Sequence, residues 1–374
     1  MTTRGENLAQ RRVAMGHSQT TLAKALGVTR QTVSRWECGI LKPAAWTRPR
    51  LARTLNVTLD QLECLITAAA ISERQPELLM TVDGLRQRTQ QLDEQYDHVP
   101  STSLLAQAGH VLAHIAVLRE QMPASRARRD LHVVEVEAET LMGQLVWDAS
   151  QRRDHISARQ HYDKAVAAAR EIGNAALEGH ALLRKSYVAL YGERDARSGL
   201  ELTQLAADTT SSVSDVLTGL ALLHTAEAHA MTGHQWDCET ALSRAEARFA
   251  AATTHDVAGF LFSPSQFNRM AGSCYLHLGG HRRAQALLET AASGMRKRKS
   301  RAIVLGNLSL ARLRQGELAG AADALHEAID VVEETRGGGG LNVVFGVGRE
   351  LRPWRSEHIV DEVYDRMLSL MTTA

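Results

Sequence analysis

The sequence predicts an all-α protein built from a short basic head and a long helical body. Three observations carry that expectation. Ala, Leu and Val supply most of the apolar residues, with 4% aromatics and 7 prolines in 374 residues, so strong helix formers dominate and breakers are scarce. No alternating apolar–polar run is long enough to describe a strand. Small residues recur at a fixed distance behind glycines through much of the chain, the spacing expected of stacked helical hairpins. The length also exceeds that of one ordinary domain.

Residues 5–66 divide into five short helical patterns. The first, Glu6–Met15, turns Leu8 and Val13 inward and stops at Gly16. Ser18 is placed to cap Gln19–Leu26, whose Leu22, Ala23 and Leu26 share one face, and Gly27 suits the left-handed position that ends a helix. Thr29 caps Arg30–Cys38, with Val33 and Trp36 on its inner side. Pro43 and Pro49 precede a fourth helix near Trp46–Leu55, and Thr58 caps a fifth over Leu59–Ile66. Residues 1–66 hold ten Lys and Arg against four acids, a local charge of +6, while the remainder holds 33 bases against 38 acids. A basic module on a mildly acidic body implies that the module alone meets a polyanion.

Residues 67–97 read as a connecting helix and linker, and residues 98–374 as long Ala/Leu helices joined by short turns. In that body a pattern of small, large and small residues recurs at Ala158/Tyr162/Ala165, Ala196/Leu200/Thr203, Cys238/Leu242/Ala245, Ala284/Leu288/Ala291 and Ala321/Leu325/Ala328. Gly233, Gly279 and Gly316 each stand five residues before the last three of these. The run Gly337–Gly340 reads as a flexible linker before the last helices, and Arg296–Arg301 as a solvated basic turn.

The segment Ser18–Gly39 carries the chemistry. Two helices of about eight residues, joined by Gly27-Val28-Thr29, present the second helix with a polar, basic outer face. Arg30, Gln31 and Ser34 fall on that face, with Arg35 adding charge. Arg can bond guanine O6 and N7 bidentately, and Gln can bond adenine N6 and N7. Gln19, Thr20 and Thr29 stand at helix starts, where free N–H groups favour phosphate. Through SQTTLAKALGVTRQTVSRWECG, Leu41–Pro43 and LARTLNVTLDQL (Leu51–Leu62), residues 5–66 resemble the lambda-repressor-like, XRE-type helix-turn-helix domain. The resemblance implies a five-helix bundle, DNA contacts from Gln19, Arg30, Gln31 and Ser34, and an ion pair from Glu37 to Arg11 or Arg12. The turn Cys38-Gly39-Ile40-Leu41 departs from the family's polar pattern and leaves Lys42 as its backbone contact.

The body resembles degenerate tetratricopeptide repeats, and the fold expected is a five-helix head followed by a TPR-like α-solenoid. The whole arrangement is similar to regulators of actinobacteria and to peptide-sensing cytoplasmic regulators of Gram-positive bacteria, a likeness carried in the body by Ala158–Leu177 and Ala271–Ala292. It implies a cytoplasmic homodimer on pseudo-palindromic double-stranded DNA, controlled by a peptide, small-molecule or protein effector. Arg184, Tyr187, Asn268 and Tyr275 are the candidate effector contacts. The alternative is an antitoxin-like or scaffold protein acting through its repeats. His110 and His114 lack a third ligand at helical spacing, and His224, His229 and His234 are spread by their five-residue steps, so no metal site is expected. Four scattered cysteines read as reduced thiols, no run spans a bilayer, and no catalytic motif or cofactor fingerprint appears.

Overall fold

The computed structural model describes residues 8–372 except 38–40, 45, 60, 64, 67–80 and 124. The helix start at Glu6, the turn from Cys38 to Ile40, Cys64 and residues 67–80 of the connecting segment lie outside the described residues. No strand occurs among those described, and they fall in two compact units, residues 1–83 and 84–374.

The head contains α1 (Leu8–Ala14), α2 (Gln19–Leu26), α3 (Arg30–Glu37) and α4 (Arg48–Thr54), followed by helical residues at 59, 61–63 and 65–66. Leu8, Leu22, Leu26, Val33, Trp36, Leu51, Leu55 and Leu62 close its core. Thr58 and Gln61 cap the last turn reciprocally, each side chain accepting from the other's backbone N–H. Val13 corrects the expected inner stripe, being 64% exposed. At ~100° per residue it stands about 140° around α1 from buried Leu8, whereas Arg11 and Arg12, three and four residues on, take the inward side.

In the body, α5 (Val82–Tyr96) and α6 (Leu105–Gln121) precede five hairpins. These are α7 (Arg126–Ala149) with α8 (His155–Glu171), α9 (Ala175–Tyr187) with α10 (Ala196–Thr210), and α11 (Asp215–Met231) with α12 (Gln235–Ala251). Then come α13 (Pro264–His277) with α14 (His281–Gly294), and α15 (Arg298–Leu313) with α16 (Leu318–Thr335). α17 (Gly338–Leu351) and α18 (His358–Thr372) complete the chain. The second helix of every hairpin buries a small residue at its fourth position: Ala158, Gly199, Cys238, Ala284 and Ala321. The second hairpin therefore uses Gly199/Thr203/Ala206, three residues on from the register expected at Ala196. Ala196 only starts α10, while a Cβ on Gly199 would approach Leu190 Cδ2 to 2.2 Å.

That register exposes a substitution at the turns. Gly233, Gly279 and Gly316 hold the left-handed position two residues before their second helices, with φ of 78°, 80° and 79°. Arg194 holds the same place before α10 with φ 57°, Arg152 turns the first hairpin with φ 61°, and Arg336 ends α16 with φ 48°. A side chain there costs ~1–2 kcal/mol, against ~0.3–1 for a cation at a helix C-terminus, so backbone preference does not account for these arginines.

The first and last hairpins meet. Asp148, at the end of α7 and 4% exposed, accepts from Ser101 Oγ (2.7 Å), Lys299 Nζ (2.9 Å) and the Gly338 backbone N–H (2.8 Å). Asp97 accepts from the backbone N–H groups of Arg298 (2.6 Å) and Lys299 (3.0 Å), capping α15. Two expectations are thereby corrected. Arg296 and Lys297 of the basic run lie exposed in a turn, but residues 298–301 start α15, with Lys299 buried and Arg298 and Arg301 paired to Glu334 and Glu327. The glycine run opens α17 inside the packing, because Gly338, Gly339 and Gly340 are buried where side chains have no room.

A Cβ on Gly338 would lie 2.4 Å from the Asp148 carbonyl oxygen, and backbone cannot swing aside. Gly338→Ala is expected to destabilise the body by about 1–3 kcal/mol in urea unfolding. Gly259→Ala, with nothing within 4 Å of the added carbon, is expected to be near neutral. Equal midpoints for the two variants would restore the linker reading.

Candidate nucleic-acid interface

The two helices of the head's central motif are set by local capping. Ser18 Oγ accepts from the Thr21 backbone N–H at 3.1 Å, starting α2. Gly27, at φ 71°, ends it by donating to Ala23 and Lys24 carbonyls. Thr29 Oγ1 accepts from the Thr32 backbone N–H at 3.1 Å and caps α3, which starts at Arg30. Leu22, Ala23 and Leu26 of α2 and Val33 and Trp36 of α3 are buried, so the opposite side of α3 is left facing solvent.

A clasp fixes how α3 is held. Arg12 pairs with Glu37 through Nε to Oε1 and through Nη2 to Oε2 at 3.3 Å, and its Nη1 donates to the His17 carbonyl at 2.6 Å. The side chains are 12% and 5% exposed. Gln19 Nε2 donates to Glu37 Oε2 at 2.9 Å, and Gln19 Oε1 accepts from Arg30 Nε at 3.4 Å. One relay thus runs from α1 through the end of α3 to the start of α2 and back to the start of α3. Of the two expected partners of Glu37, Arg12 is the one used; Arg11 donates to the carbonyls of Leu55 (3.0 Å) and Asn56 (2.9 Å).

Thr20, Thr29, Arg30, Gln31, Arg35 and Lys42 are exposed, and Gln19 and Ser34 are half-buried. The local charge is less open than its sum implies. Arg48 pairs with Glu63, Arg50 donates to the Ala25 carbonyl, and Arg53 to that of Pro49. Lys24, Arg35 and Lys42 carry no side-chain partner among the described residues, and Arg30 has only the long bond to Gln19. The carbonyl-bound arginines are the part that sequence reasoning missed, since counting charges does not reveal which ones brace turns.

The candidate effector contacts do not share one set of partners. Arg184 lies over the Tyr187 ring at 5.7 Å and donates to His180 at 3.2 Å, and burial lowers the His180 imidazole to about 3. Tyr275, 6% exposed, is covered by Arg283 at 4.0 Å and donates to Glu239 at 3.3 Å, while Asn268 is half-buried. His229 and His234 are brought together by the Gly233 turn. With Asp237 their ligand atoms lie within 4.8 Å of one another, so these three residues could hold a divalent ion. His224 is buried elsewhere, bonded to Tyr191 Oη at 2.6 Å.

Residues 8–62 match the family described as helix-turn-helix, which places a helix-turn-helix domain on the head. No curated protein matches the chain. No helix among the described residues is long and apolar enough to cross a membrane.

Removing one partner of a buried ion pair leaves the other charge unsatisfied. Glu37→Ala is expected to destabilise the head by about 3 kcal/mol. Hydrogen exchange of α2 and α3 amides in the full chain would register it, and unchanged protection would show that the clasp does not hold the motif.

Proposed function

We infer that the chain is a sequence-specific DNA-binding transcriptional regulator that reads the major groove with α3. The observation that carries this reading is the pairing of a locked inner face with an open outer one. α3 is fixed through Val33, Trp36 and Glu37, while Arg30, Gln31 and Arg35 face solvent beside the free Lys24 and Lys42. Arg30 and Gln31, at the helix start, are the base-reading pair, with Ser34 beside them. Gln19, Thr20, Thr29, Arg35 and Lys42 bind phosphate and set register. The helical body binds an effector and, as a homodimer, sets two reading helices about 34 Å apart on a pseudo-palindromic operator.

A random-sequence duplex library selected on the full chain supplies the operator. Arg30→Ala combined with Gln31→Ala is expected to lose about 1–3 kcal/mol of operator affinity per base contact, with the circular dichroism unchanged. Wild-type binding should also fall steeply as salt rises, because each neutralised phosphate releases counterions. Operator affinity unaltered by the double substitution removes the proposed readout.

A further inference from the structure

The body contains a cavity of about 1180 Å³ walled by the turn after α7, the turn before α10, the end of α16, and α17 and α18. Arg152, Arg153, Arg194, Arg336, Arg349 and Arg352 line it, and no Asp or Glu is among the described residues that do. Phe345, Tyr364 and Met367 give it an apolar wall. Elsewhere in the body arginines sit on acids, as Arg312 on Glu289 and Arg366 on Asp330. Here five of the six acids that flank lining residues in the chain are committed to other groups, Glu193 to Arg159, and the sixth, Asp365, is exposed. Asp148 holds Lys299, Asp154 and Asp195 cap helices, and Glu350 pairs with Arg314. Arg153, Arg194, Arg349 and Arg352 make no side-chain hydrogen bond or ion pair among the described residues. Arg152 lies 4.6 Å over the Trp147 ring, and its Nε is buried with no hydrogen-bond partner.

Three of these arginines are the ones found in left-handed backbone. With Gln151, also a lining residue, they make four of the five non-glycine residues of positive φ among the described residues. Arg194 replaces the glycine used at the matching turn of three other hairpins. Arg336 Nη1 donates to the Leu370 carbonyl at 2.9 Å; strain gathered beside a concave cluster in which Arg153, Arg194, Arg349 and Arg352 lack an acid points to a ligand.

We propose that this cavity binds a small organic polyanion, bearing two or more phosphate or carboxylate groups on an apolar body. Guanidinium forks take such groups bidentately, and the aromatic and Met wall takes the remainder. A bounded recess of this size fits a small ligand. The chain beyond residue 66, with 33 bases against 38 acids, does not attract an extended polyanion at long range. Binding itself stands on the cavity alone; its use as the effector signal rests on the regulator reading above.

Calorimetry on the full chain with inorganic triphosphate, ATP and citrate tests the site. One-to-one binding of triphosphate or citrate is expected, which also separates phosphate from carboxylate chemistry, and ATP should bind at least fivefold tighter than triphosphate. Arg349→Gln with Arg352→Gln should raise the dissociation constant at least tenfold. Arg194→Gly should raise it severalfold while leaving the melting temperature equal or higher, because glycine relieves the left-handed turn. A purely structural arginine would instead lower the melting temperature. No binding of any of the three anions overturns the proposal, as does binding unchanged in both variants. So does random-sequence duplex that competes for the cavity through the same arginines. Operator affinity is measured separately on the same preparations. Its absence with anion binding intact counts against the regulator reading alone.

Discussion

Asp148 is the group on which the architecture of the body depends. A stack of helical hairpins needs only neighbour-to-neighbour contacts and has no intrinsic reason to bring its ends together. Here one carboxylate, buried at the end of α7, binds Lys299 and Gly338 from 151 and 190 residues away, along with Ser101. Burial pulls the Lys299 ammonium below its usual value, opposed by the attraction of Asp148, and the Tyr96 ring lies 4.0 Å from its Nζ. A buried pair of this kind adds little net stability over an apolar contact, because desolvation offsets most of the attraction. What it supplies is register, since only one alignment of α7, α15 and α17 satisfies every donor around the carboxylate.

Closure also decides where small residues must be. Gly338 donates its N–H to Asp148 and lies too close to α7 for a side chain, while Gly339 and Gly340 meet Arg152 and Ala302. The cavity of arginines lies beside this junction, bounded by residues 149–153 on one side and 336–342 on the other. Loss of the junction would therefore separate opposite walls of the cavity, so the junction and the cavity stand or fall together.

Local chemistry made much of this legible. Ser18, Thr29 and Thr58 cap helices because the acceptor and the N–H it satisfies are three residues apart. Gly27, Gly233, Gly279 and Gly316 occupy left-handed turns for the same local reason. The outer face of α3 follows from helical period, with Val33 and Trp36 inward. What stayed hidden depends on partners far along the chain. Four consecutive glycines read as a linker unless Asp148 is known to lie against them. Lys299 reads as solvated unless its acid is known, and Arg11 reads as a possible partner of Glu37 until the carbonyls of Leu55 and Asn56 are seen under it. The second hairpin reads three residues out of register because Arg194 stands where the last three hairpins carry glycine as their phase marker.

The two units handle positive charge in opposite ways. In the head, Arg12 and Arg48 meet acids, Arg11 and Arg50 meet carbonyls at turns, and only a few cations face outward on or near α2 and α3. An exposed cation on a rigid helix stays hydrated and costs little to leave unpaired. The cavity differs in gathering its cations around one recess, although Arg153, Arg194, Arg349 and Arg352 are exposed there as the cations of α3 are. Like charges sharing one recess add to each other's potential, and three of the lining arginines also occupy strained backbone. A fold that uses glycine at comparable turns had a cheaper solution available. The excess of guanidinium over acid at that junction is thus a constraint beyond the packing of the helices, and a bound anion would supply the missing charge.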